Sequence, residues 1–147
     1  QALLAEDNSN AEALIFYARC LAERGELGEA QVVLDAVKSD EHKAALAGAK
    51  AQLTFLRQAE SLPEVADLKS RLAQNAEDDE AAYQLSIQQL ARQQYEAALE
   101  GLLKLFQRNR AYENGLPQKA LLQVFELLGS DHPLVGAYRR KLSAAMF

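Results

Sequence analysis

Apolar side chains recur every three or four residues along most of the chain, which is the period of an α-helix and not the alternation of a β-strand. The clearest example is the stretch 82–105, where two such runs follow each other. Their inner positions are Ala82, Leu85, Ser86 and Leu90 in the first run, and Tyr95, Ala98, Leu102 and Leu105 in the second. This pattern predicts two helices joined as a hairpin.

The same spacing occurs near the start of the chain, with a glycine, Gly25, at the expected turn. Its inner positions are Leu14, Tyr17, Ala18, Leu21, Leu27, Ala30, Leu34 and Val37. Ala98 follows Ala30 by 68 residues, which is twice the period of about 34 residues of the tetratricopeptide repeat. The two copies resemble that repeat, in which a small alanine on the second helix lets it cross the first closely. We therefore predict an all-α fold, a tetratricopeptide-repeat-like α-solenoid of antiparallel helix hairpins with about eight helices.

Local signals divide the chain into hairpins within one domain, residues 1–147. We expect residues 1–7 to end a truncated upstream helix, followed by a repeat (11–38), a degenerate repeat (41–75), a repeat (79–109) and a C-terminal helical hairpin (116–147). Ser9-x-x-Glu12 and Ser61-x-x-Glu64 are capping boxes, which predict helix starts near Ala11 and Pro63. Asp78 and Asp79 predict another start, and Gly129 a helix end.

Composition narrows the possible functions. The 147 residues are 49% hydrophobic and 25% charged, as in globular proteins, and the net charge of −5 argues against nucleic acid or an anionic membrane as partner. A single cysteine, Cys20, excludes an internal disulfide and is typical of a reducing compartment. His42 and His132 lie outside metal-type spacings, and phosphate-binding or nucleophile motifs are absent from the sequence. We expect no catalysis and no cofactor in this part of the protein.

The first helix of each hairpin lines the concave groove of such arrays. The repeat phase places Ile15 and Arg19 there in one unit, and Tyr83, Ile87 and Leu90 in another. Only Arg19 could pair with an anionic chain terminus, so a clamp for carboxylates is largely absent. Two alternatives remain for the apolar positions: they bind partner segments, or they pack on a neighbouring helix.

The last helix carries an apolar stripe, which is Leu134, Val135, Tyr138, Leu142 and Ala145. We expect this stripe to dock on the helix around Leu121–Leu128. The chain then ends on two apolar residues, Met146 and Phe147, which are either tucked into the core or offered to a partner. On an ideal helix Phe147 lies about 100° beyond Met146, which predicts that Phe147 projects toward solvent or a neighbouring molecule.

The C-terminal run, residues 116–147, resembles the closing segment of the YbbN family, the chaperedoxins. The resemblance is carried by Phe125-x-x-Leu128-Gly129, by Pro133-Leu134-Val135 and by the run Tyr138–Leu142. It implies a cytoplasmic bacterial co-chaperone in which a thioredoxin-like domain, with any redox motif, precedes this part. It also implies that the protein binds unfolding clients and docks on chaperonin (Hsp60) and Hsp70 systems, which would give Met146 and Phe147 a role. The alternative is an assembly scaffold that binds one folded partner.

Overall fold

The computed structural model describes the backbone of residues 4–37 and 42–147, with side chains from residue 10 onward. The described residues form eight α-helices and a short 3₁₀ turn, Tyr112–Asn114, and contain no β-strand. The helices are α1 (Leu4–Glu23), α2 (Leu27–Asp35), α3 (Lys43–Glu60), α4 (Val65–Gln74), α5 (Asp79–Ala91), α6 (Tyr95–Arg108), α7 (Leu116–Leu128) and α8 (Pro133–Met146). The predicted all-α fold is confirmed.

The two predicted hairpins cross at their small residues. Helix α1 packs against α2 and α5 packs against α6, and Ala30 and Ala98 are both 0% exposed. A β-carbon on Gly101 would lie 2.7 Å from the hydroxyl of Ser86, so α5 and α6 approach closely at this point. Small side chains at these positions let the helix backbones meet with little space between them.

Helix α3 is buried on two sides. On one side Ala49 and Leu53 join a hydrophobic core with residues of α1 and α2. On another, Ala51 and Phe55 join a larger core built from α5, α6, α7 and α8. Helix α3 therefore connects the two halves of the molecule.

Helix α7 does not pack as it would in a regular repeat array. In a regular array each unit contacts only its neighbours, but α7 packs against both α6 and α3. Its C-terminal end reaches α1, where the Arg19 guanidinium Nη2 donates a hydrogen bond to the carbonyl of Leu127 at 3.0 Å. A β-carbon on Gly48 would lie 2.6 Å from the carbonyl oxygen of Glu126, so only glycine fits there unless the helices shift. Part of the inner face of the array is thus covered by the chain's own helix.

Helix α8 buries the predicted stripe, but its nearest helix is not the predicted one. Val135, Tyr138 and Leu142 are buried, and the Tyr138 hydroxyl lies 2.8 Å from Glu100 Oε1 on α6. Helix α8 packs against α6, while the Arg139 guanidinium lies 5.5 Å from the centre of the Phe125 ring of α7, close enough for a cation–π contact. The predicted docking on α7 is incomplete, because the stripe shares one hydrophobic core with α7 but packs mainly against α6.

Two predicted helix starts are also wrong. Helix α1 is continuous from Leu4 to Glu23, so the structure has no boundary at Ser9 or near Ala11. Helix α4 begins at Val65 after Glu64, because the hydroxyl of Ser61 instead donates to the carbonyl of Gln58 at the end of α3. The predicted boundary between 38 and 41 lies outside the described residues.

The predicted acidic start of α5 is confirmed and ties three helices together. Asp78 accepts a hydrogen bond from the backbone N–H of Ala81 at 3.0 Å and pairs with Arg71 of α4. Asp79 accepts hydrogen bonds from Asn109 at 2.9 Å and from Arg108 at 2.6 Å, both at the end of α6. These bonds, that of Asn109 first, hold the pKa of Asp79 below its usual value. The start of α5 is thereby fixed against α4 and α6.

Candidate protein-binding cleft

A cleft remains where α7 stops short of covering the inner helices. It encloses about 510 Å³ and is bounded by α1, α3, the α5–α6 turn and the end of α7 with its turn into α8. A second cavity of about 60 Å³ lies next to it and shares Gln52, Tyr95 and Leu127 with the larger one. The volume of the larger cleft lies in the range of ligand-binding pockets in proteins.

Helix α1 forms one wall of the cleft with Phe16, Arg19, Cys20 and Glu23. These positions are three and four residues apart, so they lie on the same side of the helix. Phe16 is 70% exposed, and the neighbouring Tyr17 is 50% exposed. The Phe16 ring therefore stands at the solvent-facing side of this wall without burial in the core, while Tyr17 lies about 100° further round the helix, outside the cleft.

Gln52 of α3 lines the side of the cleft that faces away from solvent. It is only 9% exposed, and its carboxamide oxygen Oε1 has no hydrogen-bond partner among the described residues. Tyr95, at the start of α6, is half-buried beside it, and burial raises the pKa of its phenol. A buried acceptor without a partner is uncommon in folded proteins. The Gln52 oxygen is nevertheless closed off from the cleft, because almost none of its surface is accessible.

The α5–α6 turn places Gln93 in the cleft with an unusual backbone. Its φ is +63°, in the left-handed region that disfavours side chains. Gly25 occupies the matching place in the first hairpin, 68 residues earlier, with φ of +85°. The first turn thus has the residue that this conformation prefers, while the second carries a glutamine.

The charges of the cleft offset each other. Arg19 and Glu23 both line it, and the Arg19 guanidinium is already bonded to the Leu127 carbonyl. His132 uses its ring Nδ1 to accept the backbone N–H of Leu134 at 3.1 Å, which caps α8. No group of three metal-binding side chains occurs among the described residues. The cleft is thus built for apolar contact and neutral hydrogen bonding.

The predicted groove residues differ in whether the structure buries them. Ile15, Ile87 and Leu90 are 4%, 0% and 4% exposed and belong to the two hydrophobic cores. For them the packing alternative describes the structure, because α3 packs against both α1 and α5 and α6 packs against α5. Tyr83 is half-buried with its ring 6.3 Å from that of Tyr112, and burial raises the pKa of Tyr83 to about 12. Arg19 lies in the cleft.

The two tail residues project away from the core. Phe147 is fully exposed and Met146 is 40% exposed, whereas Ala145 before them packs against the larger core. The position of Phe147 agrees with the helical geometry, and the alternative of a tucked-in tail does not describe the structure. Binding by these residues stays a prediction.

Sequence reasoning missed most of the cleft. Phe16, Gln52, Gln93 and Tyr95 come from three separate parts of the chain, and the repeat phase assigns none of them to the groove. One signal was present for Gln93, which stands two repeat periods after Gly25. The other positions meet because α1 and α5 both pack on α3.

The comparisons with known proteins agree with the helical hairpins. One family of tetratricopeptide repeats matches residues 58–147, and another matches residues 1–53. An uncharacterized protein of Haemophilus influenzae is 24% identical over 141 residues, which cover 96% of this chain and 64% of that protein. The chain therefore spans a little under two thirds of the length of this relative. Within the described part of the chain, no helix combines the length and apolar character needed to cross a membrane.

Proposed function

Because the chain belongs to the tetratricopeptide-repeat family, whose hairpins are protein–protein interaction modules, we propose that it holds unfolding segments of other proteins in the cleft beside α1. In this proposal it is the client-binding part of a thioredoxin-like co-chaperone. The observation that carries it is the open cleft of about 510 Å³ with Phe16, 70% exposed, on its wall. Exposed aromatic rings beside a cleft gain contact area when they cover an apolar segment.

The chemistry of the cleft favours unfolding clients over a charged motif. Binding a carboxylate or phosphate requires several free donors, whereas the guanidinium of Arg19 is bonded to the Leu127 carbonyl and Glu23 lies on the same wall. Apolar segments are buried in folded proteins and become available when those proteins unfold. Phe16 and Leu128 in the cleft offer them contact without demanding a particular sequence.

The co-chaperone part of the proposal is supported by the C-terminal sequence resemblance. Residues 116–147 resemble the closing segment of the chaperedoxins, and the matched relative is longer than this chain. The proposal includes docking on Hsp60 chaperonin and Hsp70 and a cytoplasmic location. Any redox chemistry would belong to another domain. The chain itself acts by binding, without turnover.

An assembly scaffold for one folded partner is the second candidate. The observation that favours it is the fixed geometry of the cleft, since Arg19 bonded to Leu127 and His132 capping α8 hold two of its walls in place. A preformed surface suits one folded shape better than many unfolded ones. One-to-one binding of a single folded protein would support this candidate.

An aggregation assay tests the holdase function. The wild-type chain is expected to suppress the heat-induced aggregation of several unrelated proteins. The variant Phe16→Ser should lose much of this activity at unchanged helicity and Tm, because the Phe16 ring lies on the wall of the cleft and is 70% exposed. Light scattering and circular dichroism measure the two effects.

Val32→Ser is the matched control for that assay. Val32 is 69% exposed on α2 and does not line the cleft, so its replacement should leave suppression unchanged. An equal loss in the control would show that removing any exposed apolar side chain weakens suppression, whether or not it lies in the cleft. A wild-type chain that protects no unfolding protein would overturn the proposed function.

Deletion of Met146 and Phe147 tests the role of the tail. The variant should melt at the wild-type temperature, because Phe147 is fully exposed and loses no contact. Its affinity for an Hsp60 chaperonin should fall about ten- to a hundredfold, since burying such a ring contributes about 1.5–3 kcal/mol. Calorimetry with the full-length protein measures the affinity, with Leu122→Ser as the control at another exposed site. Unchanged affinity after the deletion would remove the tail from the interface.

A further inference from the structure

We propose that the chain associates head to tail with a second copy of itself, in which α2 of one copy lies in a groove between α6 and α8 of the other. The inference goes beyond the proposed function, because neither surface shares a residue with the cleft beside α1. It is carried by the charges and the apolar positions of two surfaces that lie far apart on the same chain.

The groove between α6 and α8 encloses about 410 Å³ and is open to solvent. Lys104 of α6 and Lys141 of α8 both line it and are exposed, so each wall carries a lysine. Ala144 and Ala145 of α8 also line it. Because their side chains are small, they leave room for a side chain that enters from outside.

A positive surplus remains in the groove although it contains one carboxylate, that of Glu100. This carboxylate accepts a hydrogen bond from the Tyr138 hydroxyl at 2.8 Å and pairs with Lys141 at 3.5 Å. Half-exposed ion pairs of this kind are weak, so Lys141 can turn toward a second carboxylate. Arg110 adds a further cation at the end of the groove, where it donates to a backbone carbonyl of α8 at 2.9 Å. Together with Lys104 these cations outnumber the single carboxylate.

Helix α2 presents the matching surface. Val32 is 69% exposed at its centre, and Glu29 and Asp35, three residues before and after it, are exposed as well. Three residues turn an α-helix by about 300°, so the two carboxylates lie about 60° to either side of Val32. An exposed apolar side chain is thus flanked by one carboxylate on each side.

Charge complementarity assigns the groove to this helix of a second copy. When Val32 points into the groove, Glu29 and Asp35 face opposite walls, and each wall carries a lysine. The whole chain has the same asymmetry, since residues 1–100 contain 18 acidic and nine basic side chains and residues 101–147 contain three acidic and seven basic ones. Two different surfaces meet in this contact, so it is heterologous and can continue from copy to copy.

Sedimentation velocity of the wild-type chain tests the association itself. The sedimentation coefficient should rise with protein concentration in the range of about 0.1 mM, because one short helix in one groove is a small interface. Raising the salt concentration from about 0.05 M to about 0.5 M should weaken the association about tenfold, since exposed charges are screened.

Two charge-reversed variants test which surfaces meet. The pair Lys104→Glu, Lys141→Glu and the pair Glu29→Lys, Asp35→Lys should each weaken self-association by about tenfold or more, because like charges then face each other. An equimolar mixture of the two variants should associate again, since each reversed surface meets its complement on the other variant. All four side chains are exposed, so circular dichroism should show unchanged helicity.

Two controls separate this contact from general charge and from client binding. Lys69→Glu, Lys119→Glu changes the net charge by the same amount at exposed sites outside the groove and should associate as the wild type does. Val32→Ser should weaken self-association about tenfold, because the buried apolar contact is lost. The same variant should keep its suppression of aggregation, as stated above, so the two activities are measured separately.

The outcomes leave the proposal either supported or overturned. A wild-type chain that sediments as a monomer at every concentration and at low salt overturns it, and so does an association that survives both charge reversals. A monomeric chain whose groove binds an added acidic helical peptide would assign the groove to another protein and also overturn self-association. None of these results changes the aggregation assay, so the proposed function stands or fails independently.

Discussion

Replacing Ala98 with glutamate is expected to lower the free energy of unfolding by about 3–5 kcal/mol, the largest effect of any single substitution considered for this chain. Ala98 is 0% exposed where α6 crosses α5, and Leu99 and Leu102 around it are also 0% exposed. A carboxylate at this crossing would be buried without a cationic partner or would force the two helices apart. Thermal unfolding followed by circular dichroism should show Tm lower by about 10 °C.

Ala97→Glu is the matched control for this experiment. Ala97 precedes Ala98 on the same helix but is exposed, so the same change in chemistry should alter stability by about 0.5 kcal/mol or less. Equal stability of the two variants would show that the hairpin crossing is not at Ala98. It would also contradict the repeat phase that places Ala30 and Ala98 at equivalent sites.

Replacing Gly48 with valine is expected to disturb the contact between α3 and α7. A β-carbon at Gly48 would lie 2.6 Å from the Glu126 carbonyl oxygen, and that oxygen belongs to the backbone of α7 and cannot rotate away. The helices must separate, at a cost of about 3 kcal/mol in the free energy of unfolding. Denaturant unfolding measures this loss, and the Leu127 carbonyl should also move away from Arg19.

Gly28→Val provides the comparison at a glycine with open surroundings. A β-carbon on Gly28, in α2, would meet nothing within 4 Å, so valine there should change stability by about 0.5 kcal/mol or less. If Gly48→Val is tolerated as well as Gly28→Val, helix α7 does not lie on α3 in solution. In that case the cleft between them would also be lost, and client binding would have to be sought elsewhere.

The hairpins and the tail could be predicted from the sequence because they depend on local spacing. A small residue repeated after 68 positions marked Ala30 and Ala98 as crossing points, and both are fully buried. Helical geometry placed Phe147 away from the stripe of α8, and it is fully exposed. The capping boxes were less reliable: Ser9 lies inside α1, and Ser61 bonds to the end of α3, because the motif fixes a possible hydrogen bond and not which helix uses it.

Only the tertiary structure decided where the binding surface lies. Periodicity identifies the apolar face of a helix but not the helix that will cover it, and that choice depends on contacts between residues far apart in the chain. For Ile87 and Leu90 the sequence left open whether they line a groove or pack on a neighbouring helix, and they are buried, because α3 and α6 pack against α5. The sequence alone determined the helical hairpins, the alanine crossings and the exposed end. The packing of α1 and α5 on α3 brings Phe16, Gln52 and Gln93 together, and α7 closes the cleft with Leu127 and Leu128, an arrangement that no spacing along the chain encodes.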